Sequence, residues 1–507
     1  MKRRGTFIAG GLVLGFLSAA LVALPAQATT AHTPATVVSK VTGPNSLSAT
    51  DTQWKVKATD LGILWDNGAG QTLAAFGDTF GTNWTGPGGG TPAGVDGDWR
   101  SQVLLRSSDN NLADGMTFDS AATDVPGHAK QLISAKHIDN DEITVIPTAG
   151  ISVGSRQYLS YMSVRHWGLP GEWTTNYASI AYSDDNGQTW VKDAGPRWDN
   201  ANGTGNNQFQ MQAFVRKDGY VYVYGTPSGR SGSLHLARVP EAQLLSAAAY
   251  QYWTGSAWVT GAESSAASVV AAPVSEISVA YNSYTNKYLM MYINGEDLVL
   301  RSSATPQGPW SAPSTIVGPS DYPGFYGGFI HPKSSGSELY FVMSQWNPYN
   351  TYLMKISLNA DATVAKPNLL NDPSFERNTA LGGDWQCAGT CGIDNQHWGF
   401  SGDKNAWARH NSGWQDVHQS VAVTPNTQYT LSGFVRTSAS SYAGFLGART
   451  TSWQVISEAT FSSVPGWTRY TVTFNSGANS SVTVYGGIWT DHGDAWLQLD
   501  DFSLTRT

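Results

Sequence analysis

Two aspartates near the start of the chain carry its clearest chemical signal. Asp60 lies in the segment Thr-Asp-Leu-Gly and Asp78 in Phe-Gly-Asp-Thr-Phe, on either side of an Asp-Asn-Gly turn signal at 66–68. The pattern predicts a β-hairpin, and a loop centred near residue 69 places Asp60 directly opposite Asp78. Like charges at opposed positions destabilise a sheet. Glycoside hydrolysis needs such a pair, however, because repulsion raises the pKa of one carboxyl and leaves an acid beside a base or nucleophile.

The same residues admit a purely structural interpretation, in which Asp60 and Asp78 each cap a turn and never meet. If they do oppose each other, a carboxylate separation of about 5 Å favours retention of stereochemistry. A shift of register would open the separation to the roughly 6.5–9.5 Å of inverting enzymes. The stereochemistry, and which aspartate is the acid, stay open at this point.

The composition narrows the class of ligand. The chain has 507 residues, only 13% of them charged, and Trp (20) outnumbers Phe (17). Its formal net charge of −8 offers no basic field for a polyanion, so nucleic acid is not expected as a partner. Trp and Tyr present flat apolar faces with a polar edge, which suits uncharged polar ligands such as sugars. The expected partner is therefore a polysaccharide.

The N-terminus has the features of an export signal. Residues Lys2, Arg3 and Arg4 precede an apolar stretch from Phe7 to Leu24, and a small-residue cleavage site ends at Ala28. We expect residues 1–28 to be removed near Ala28 and the protein to be secreted, with an uncleaved N-terminal anchor as the alternative. No other stretch is long and apolar enough for stable membrane insertion, and a monomer is expected. Residues 29–45 are predicted to form a linker.

Short strand-like segments separated by Gly, Asp and Asn fill residues 46–358 and predict an all-β fold. Residues 183–190, Ser-Asp-Asp-Asn-Gly-Gln-Thr-Trp, resemble the Asp-box that closes hairpins in propeller glycosidases and lectins. Partial matches to this segment recur along the chain at spacings that fit four-stranded blades. The length of the region favours a five-bladed β-propeller.

A second unit is predicted over residues 368–507, after a linker at 359–367. Its alternating strands indicate a jelly-roll β-sandwich, and its opening and closing segments resemble carbohydrate-binding modules. Glu376 and Asp500, on first and last strands that lie close in such folds, are candidates for a shared structural calcium ion. Cys387 and Cys391 are expected to form a local disulfide. Six tryptophans are too many for one small core, so some should form a sugar-stacking face: Trp398, Trp407, Trp414, Trp453, Trp489 and Trp496.

Several separated segments of residues 46–358 resemble glycoside hydrolase family 183, formerly a domain of unknown function. Besides the two aspartate segments, the segments are residues 136–142, 162–168, 224–230, 327–332 and 343–350. The characterised members of that family are endo-D-arabinanases that cut the D-arabinan of arabinogalactan and lipoarabinomannan. The resemblance implies a five-bladed propeller with Asp60 and Asp78 as the catalytic pair. It implies no cofactor for catalysis.

The same segments supply further candidates for substrate binding. Acidic candidates could orient a sugar hydroxyl, although an exposed acid at a strand end is an equal alternative; they are Asp141, Glu142 and Glu276. Histidine and arginine candidates could contact hydroxyls or an anion, or serve the structure only; they are His137, Arg165, His166 and His331, with Arg230 beside them. Stacking platforms are expected from Trp99, Trp167 and Trp346, unless each belongs to the core. The histidines are too scattered for a metal site.

Two other functions remain open on the sequence alone. A propeller with an Asp-box and a sandwich could be a lectin that binds glycans without cutting them. A sialidase is the second alternative, but it needs an arginine triad and a Tyr nucleophile, and the sequence has no marked version of either.

Overall fold

The computed structural model describes residues 34–86, 88–89, 97–200, 206–365, 368–438, 443–491 and 493–507. The predicted signal peptide and the start of the predicted linker at 29–45 lie outside these ranges. Within them, no helix has the length and apolar character needed to cross a membrane. Among the described residues, helical structure is confined to α1 (Thr50–Gln53) and to single 3-10 turns at Glu241–Gln243, Ala247–Ala249 and Glu263–Ser265.

Five antiparallel sheets follow one another along residues 36–357, and each forms one blade. Blade 1 contains β2 (Leu61–Asp66), β3 (Thr72–Phe76), β6 (Val103–Ser107) and β7 (Ser120–Ala121). Blade 2 contains β10 (Thr144–Val153), β11 (Arg156–Trp167), β12 (Trp173–Ser183) and β13 (Arg197–Asp199). Blade 3 contains β14 (Met211–Lys217), β15 (Tyr220–Thr226), β16 (Leu234–Pro240), β17 (Gln251–Trp253) and β18 (Trp258–Thr260), with β19 (Ser268–Val270) paired to β16.

Blade 4 contains β20 (Ser275–Asn282), β21 (Lys287–Asn294), β22 (Asp297–Ser303) and β23 (Ser314–Val317). Blade 5 contains β24 (Phe325–Ile330), β25 (Glu338–Gln345), β26 (Asn350–Ser357) and β1 (Thr36–Lys40). Two small sheets complete the region, β4 (Thr79–Phe80) with β5 (Trp99–Arg100) and β8 (Thr123–Val125) with β9 (His128–Ala129).

The first strand of each blade contacts the first strand of the next, in the ring β2, β10, β14, β20, β24 and back to β2. The region is therefore the five-bladed propeller expected from the sequence. The last blade is completed by β1, which pairs with β26 from Thr36 opposite Lys355 to Lys40 opposite Tyr352. The linker prediction for 29–45 is thus wrong at residues 36–40, because these residues are buried as an outer strand of blade 5.

The Asp-box closes the turn after β12 as its residues predict. Asp185 accepts hydrogen bonds from the backbone N–H and the hydroxyl of Thr189 at 2.8 and 2.6 Å. Gly187 has a φ of +81°, where a side chain would be strained. The indole N–H of Trp190 donates to the Gly187 carbonyl at 3.0 Å. The segment is a structural device and contributes no group to the site described below.

Residues from 368 onward form the predicted β-sandwich of two five-stranded antiparallel sheets. We call the first one sheet A; its order is β27 (Gln386–Ala388), β30 (Gly413–Ala422), β35 (Ser481–Thr490), β32 (Ala443–Arg449) and β33 (Val455–Phe461). Sheet B has the order β28 (Cys391–Asp394), β29 (Asn405–His410), β36 (Ala495–Arg506), β31 (Gln428–Thr437) and β34 (Thr468–Asn475). A separate apolar core lies between them. Cys387 and Cys391 form the expected disulfide, which joins the edges of the two sheets.

The outer face of sheet B packs on blade 5 of the propeller. Phe434 of β31 stacks on Phe400 with ring centroids 3.7 Å apart, and both belong to an apolar cluster shared with the blade. The buried ion pair between Arg377 and Asp321, at 2.6 Å, crosses the same boundary. The outer face of sheet A takes no part in these contacts.

Candidate active site

The β2–β3 hairpin positions Asp60 and Asp78. Residues 63–66 pair with 75–72 in the register expected from a loop centred at residue 69. A bulge at Gly62 then shifts the register, so that Leu61 pairs with Phe76. The hairpin register predicts Asp60 directly opposite Asp78, but the bulge prevents this pairing. The two aspartates instead lie just beyond β2 and β3, where the two strands leave the blade. The bulge gives Leu61 a φ of +64°, an uncommon conformation for a bulky residue.

Gly77 allows the Asp60 carboxylate to approach the backbone of the opposite strand. Its N–H donates to the Asp60 carbonyl at 3.1 Å. A Cβ atom at position 77 would lie 2.3 Å from Oδ1 of Asp60, which is closer than real Cβ contacts come. The glycine in the Phe-Gly-Asp-Thr-Phe segment is therefore required by the placement of Asp60.

Both aspartates line a cavity of about 700 Å³ that takes side chains from all five blades. Its walls are mainly apolar and aromatic, with Trp99, Trp167, Trp173, Trp346 and Tyr349 among them. Such a cavity has the size and lining typical of a small-ligand site. Arg230 is the one basic side chain in its wall among the described residues.

Asp60 is held in a largely dry environment. The Tyr326 hydroxyl donates to Oδ2 at 2.9 Å, whereas Oδ1 is buried and accepts no hydrogen bond from the residues that the structure describes. Burial, and after it the charge of Asp78, raises the pKa of Asp60 to about 7, and the hydroxyls of Tyr326 and Tyr349 offset only part of this rise. Asp60 can thus carry a proton near neutral pH.

Asp78 has better-satisfied oxygens. The indole N–H of Trp99 and the hydroxyl of Thr144 donate to its Oδ1 at 2.9 and 2.8 Å. Burial raises the pKa of Asp78 to about 6, and these two hydrogen bonds keep it from rising further. Of the two carboxyls, Asp78 is therefore the more readily ionised.

Glu276 lines the cavity, but its charge is matched. Arg230 donates to its carboxylate through Nε and Nη2, at distances between 2.5 and 3.2 Å. The guanidinium also lies over the Tyr326 ring, 5.6 Å from its centroid. The pair adds no net charge beside the aspartates.

The structure places five of the other predicted residues at the cavity: Trp99, Trp167, Arg230, Glu276 and Trp346. His137 does not line the cavity itself but packs behind its wall, because its ring lies against Trp99 with centroids 4.1 Å apart. Trp99 in turn contacts Asp78.

Five predicted binding residues do not reach the cavity, because each is engaged at a strand end or in the interior. Asp141 pairs with Lys136 at 2.7 Å, and Glu142 is buried against Lys192 at 2.9 Å. Arg165 donates to Asn176, and His166 contacts Asp139. His331 is buried, and burial lowers its pKa to about 3. They lie outside the cavity wall, so substrate contact by these five stays a prediction from the sequence.

Three further residues contact the aspartates and were not predicted from the sequence: Tyr326, Tyr349 and Thr144. Tyr349 falls inside the segment 343–350 and Tyr326 directly precedes the segment 327–332, so proximity to those motifs was an available signal. Their hydroxyls come from blades far along the chain from Asp60, and Thr144 opens blade 2. Only the closed ring brings them together.

Glu376 and Asp500 lie near each other in the sandwich, as the calcium hypothesis requires, since the charge of Glu376 raises the pKa of Asp500. Two carbonyl oxygens, of Ser401 and Lys404, and Oδ2 of Asp500 converge on the space beside Gly399. Oxygen atoms are the donors that Ca²⁺ takes. Within the described ranges, however, no group of three or more His, Cys, Asp or Glu side chains could hold a metal ion. The donor set fits calcium in part.

A family model for a domain of unknown function, DUF4185, matches residues 45–355, which are the propeller. The chain belongs to the DUF4185 family. The chain is 34% identical over 315 residues to "Notoamide biosynthesis cluster protein J" of Aspergillus sp. (strain MF297-2), covering 58% of this chain and 81% of that one. A 150-residue stretch, 29% of this chain and 23% of the other, is 35% identical to "Exochitinase 1" of Streptomyces olivaceoviridis.

Two solved glycosidase structures resemble the chain at low sequence identity. An exo-β-1,3-galactanase from Phanerochaete chrysosporium is 10% identical with a TM-score of 0.42, covering 93% of this chain and 98% of that one. A glycoside hydrolase family 43 arabinoxylan arabinofuranohydrolase from Bacillus subtilis is 10% identical with a TM-score of 0.41, covering 92% and 99%. At these values the likeness says nothing about activity.

Proposed function

We propose that this DUF4185 protein is a secreted glycoside hydrolase that cleaves internal D-arabinofuranosidic links of cell-wall arabinan. The observation that carries the proposal is the pair of Asp60 and Asp78 in one apolar cavity, both with raised pKa values. Two like-charged carboxyls destabilise a fold, but they are the groups that glycoside hydrolysis uses. The choice of D-arabinan rests on the resemblance to glycoside hydrolase family 183.

The environments divide the two roles. Asp60, with the higher pKa and an unpartnered Oδ1, is the general acid and gives its proton to the oxygen of the leaving sugar. Asp78, whose Oδ1 is held by Trp99 and Thr144, is the anion. As the anion it either attacks the anomeric carbon itself or takes a proton from an attacking water. Either course breaks the glycosidic bond and consumes one water overall.

The cavity favours a neutral substrate. Arg230, its basic residue among those described, is matched by Glu276. This argues against the sialidase alternative, which needs three arginines for a carboxylate. Trp167 and Trp346 are exposed on the wall and suit stacking on sugar rings.

The test is release of reducing ends from arabinogalactan, with a panel of D- and L-arabinans beside it. We expect a rapid fall in polymer length, because an enzyme that cuts internal links shortens chains before it releases small products. Binding without any change in polymer length would support the lectin alternative instead. Release from L-arabinan alone would retain the hydrolase and reject the substrate.

The proposal also covers secretion, oligomeric state, polymer binding and calcium. The N-terminal segment directs secretion with cleavage near Ala28, the chain acts as a monomer, and the sandwich holds the enzyme on polymer. Catalysis needs no cofactor. A structural calcium ion beside Glu376 and Asp500 would stabilise the sandwich, which a calcium-dependent rise in melting temperature tests.

A further inference from the structure

The outer face of sheet A carries an aromatic surface that no other described part of the chain covers. Side chains alternate across the sheet, so Val417, Val484 and Ile488 point into the core while Trp414 and Trp489 point outward. Trp453, on the loop after β32, joins them. Trp453 and Trp489 are about half exposed, at 53% and 49%. We call Trp414, Trp453 and Trp489 the aromatic face.

Polar side chains in a fixed arrangement separate the two ends of the aromatic face. Asp416 is fully buried although it lies on the outer side of the sheet. It accepts hydrogen bonds from the indole of Trp414 and the guanidinium of Arg449, each at 2.6 Å, and His418 Nδ1 also lies 2.6 Å away. Arg449 lies 3.7 Å from the ring centroid of Trp453. Asp416 therefore orients the polar groups and, through Arg449, one of the exposed rings.

The sheet sets the spacing of the face. Trp414 pairs with Trp489, and two rows further along the strands His418 pairs with Tyr485. Four residues of β35 separate these rows, which is about 14 Å. Gly487 lies between them, and a Cβ at this position would be 2.5 Å from the Trp414 ring, so the glycine lets that ring lie close against the sheet. A ligand that contacts both ends must be an extended chain.

The guanidinium of the face has its counter-charge beside it. Arg449 pairs with Asp416, which His418 also contacts, and Glu458 accepts a hydrogen bond from the Tyr485 hydroxyl. An anionic ligand would find no unmatched guanidinium here. Exposed rings with hydrogen-bonding groups between them suit a molecule with apolar faces and hydroxyl edges.

We infer that the outer face of sheet A is a second carbohydrate-binding site, separate from the propeller cavity, that takes an extended neutral oligosaccharide. The aromatic face supplies the stacking surfaces, and Asp416 is a positioning residue that holds Arg449 and Trp414 in place. The site rests on that part of the proposed function in which the sandwich holds the enzyme on polymer, but it needs no hydrolysis at the propeller.

The test measures migration of the full chain in native gels that contain a soluble neutral polysaccharide: arabinogalactan, arabinan, β-galactan or xylan. All variants carry Asp78→Asn, so that the polymer stays intact. We expect retardation by at least one neutral polymer, and a loss of affinity of about tenfold for Trp453→Ala and for Trp489→Ala. Trp407→Ala, on sheet B, is the matched control and should migrate as the parent does.

Equal retardation of parent, Trp453→Ala and Trp489→Ala overturns the site, provided that the variants melt as the parent does. Retardation only by heparin or polygalacturonate overturns the neutral ligand. A concentration-dependent dimer that Trp453→Ala abolishes shows that a second copy of the chain covers the face, and also overturns the inference. Failure of reducing-end release would refute the proposed hydrolase and leave this result unaffected.

Discussion

Two buried aspartate sites in this molecule face aromatic surfaces but hold their charges differently. In the propeller, Asp60 has one oxygen without a hydrogen bond, and burial raises its pKa to about 7. In the sandwich, burial alone would raise the pKa of Asp416, but hydrogen bonds from His418, Trp414 and Arg449 outweigh it and hold the pKa below the ordinary value. The first carboxyl can exchange a proton near neutral pH, and the second stays an anion. Asp60 is therefore suited to proton transfer, and Asp416 to holding neighbouring side chains in fixed positions.

The strongest test of this contrast is to neutralise each propeller aspartate. Asp60→Asn and Asp78→Asn should each lower kcat at least 100-fold, because general acid–base catalysis contributes about 10²–10⁴. Asp416→Asn should leave kcat on short soluble oligosaccharides unchanged. The measurement is reducing-end release from such oligosaccharides. Full activity in either propeller variant would reject its catalytic role.

For stability we expect the reverse order: Asp416→Asn should destabilise the protein more than Asp60→Asn does. Asp416→Asn leaves the buried guanidinium of Arg449 without its counter-charge, so we expect the sandwich to lose about 3 kcal/mol of unfolding free energy. Asp60→Asn removes a buried carboxyl that is costly to ionise, and above pH 7 it should unfold at the same temperature as the parent or higher. Calorimetry at pH 8 compares the two. Equal destabilisation by both variants would remove the distinction.

The pH profile tests the two propeller roles separately. Activity requires Asp78 ionised and Asp60 protonated, so it should peak between about pH 6 and 7. Tyr326→Phe removes a hydrogen bond that lowers the pKa of Asp60, and should move the alkaline limb up by about one pH unit. Trp99→Phe should move the acidic limb up instead, because it raises the pKa of Asp78. Movement of the opposite limb in either variant would reverse the assignment of acid and anion.

The smallest effect concerns the buried acids of the sandwich. Burial raises the pKa of Glu376 to about 8, so the folded state binds a proton that the unfolded chain releases near pH 4.5. In calcium-free buffer, stability should therefore fall as pH rises from about 4.5 to 8. Glu376→Gln should flatten this slope and raise the melting temperature at pH 8 by about 3 °C. If calcium binds, adding it should cancel the fall in the parent alone.

The sequence predicts the propeller and sandwich well because strands, turns and the Asp-box are local patterns. It also predicts the hairpin register of residues 63–66, but not the bulge at Gly62 that moves Asp60 and Asp78 out of the ladder. Tyr326 and Thr144 could not be derived from spacing, since their places depend on ring closure. Arg165 and His166 lie outside the cavity wall, because a polar residue in a shared motif can equally pair with a neighbour at a strand end.

The pairing of β1 with β26 has a mechanical consequence. Blade 5 is complete only when β1 pairs with β26, so closure of the ring requires contact between residues more than three hundred positions apart. Contacts of such long range make folding slow, because much chain must be ordered before they form. A chain that began after Lys40 would leave β26 as an unpaired edge, open to pairing with other molecules. Residues 36–40 thus cover a strand edge that would otherwise be open to aggregation.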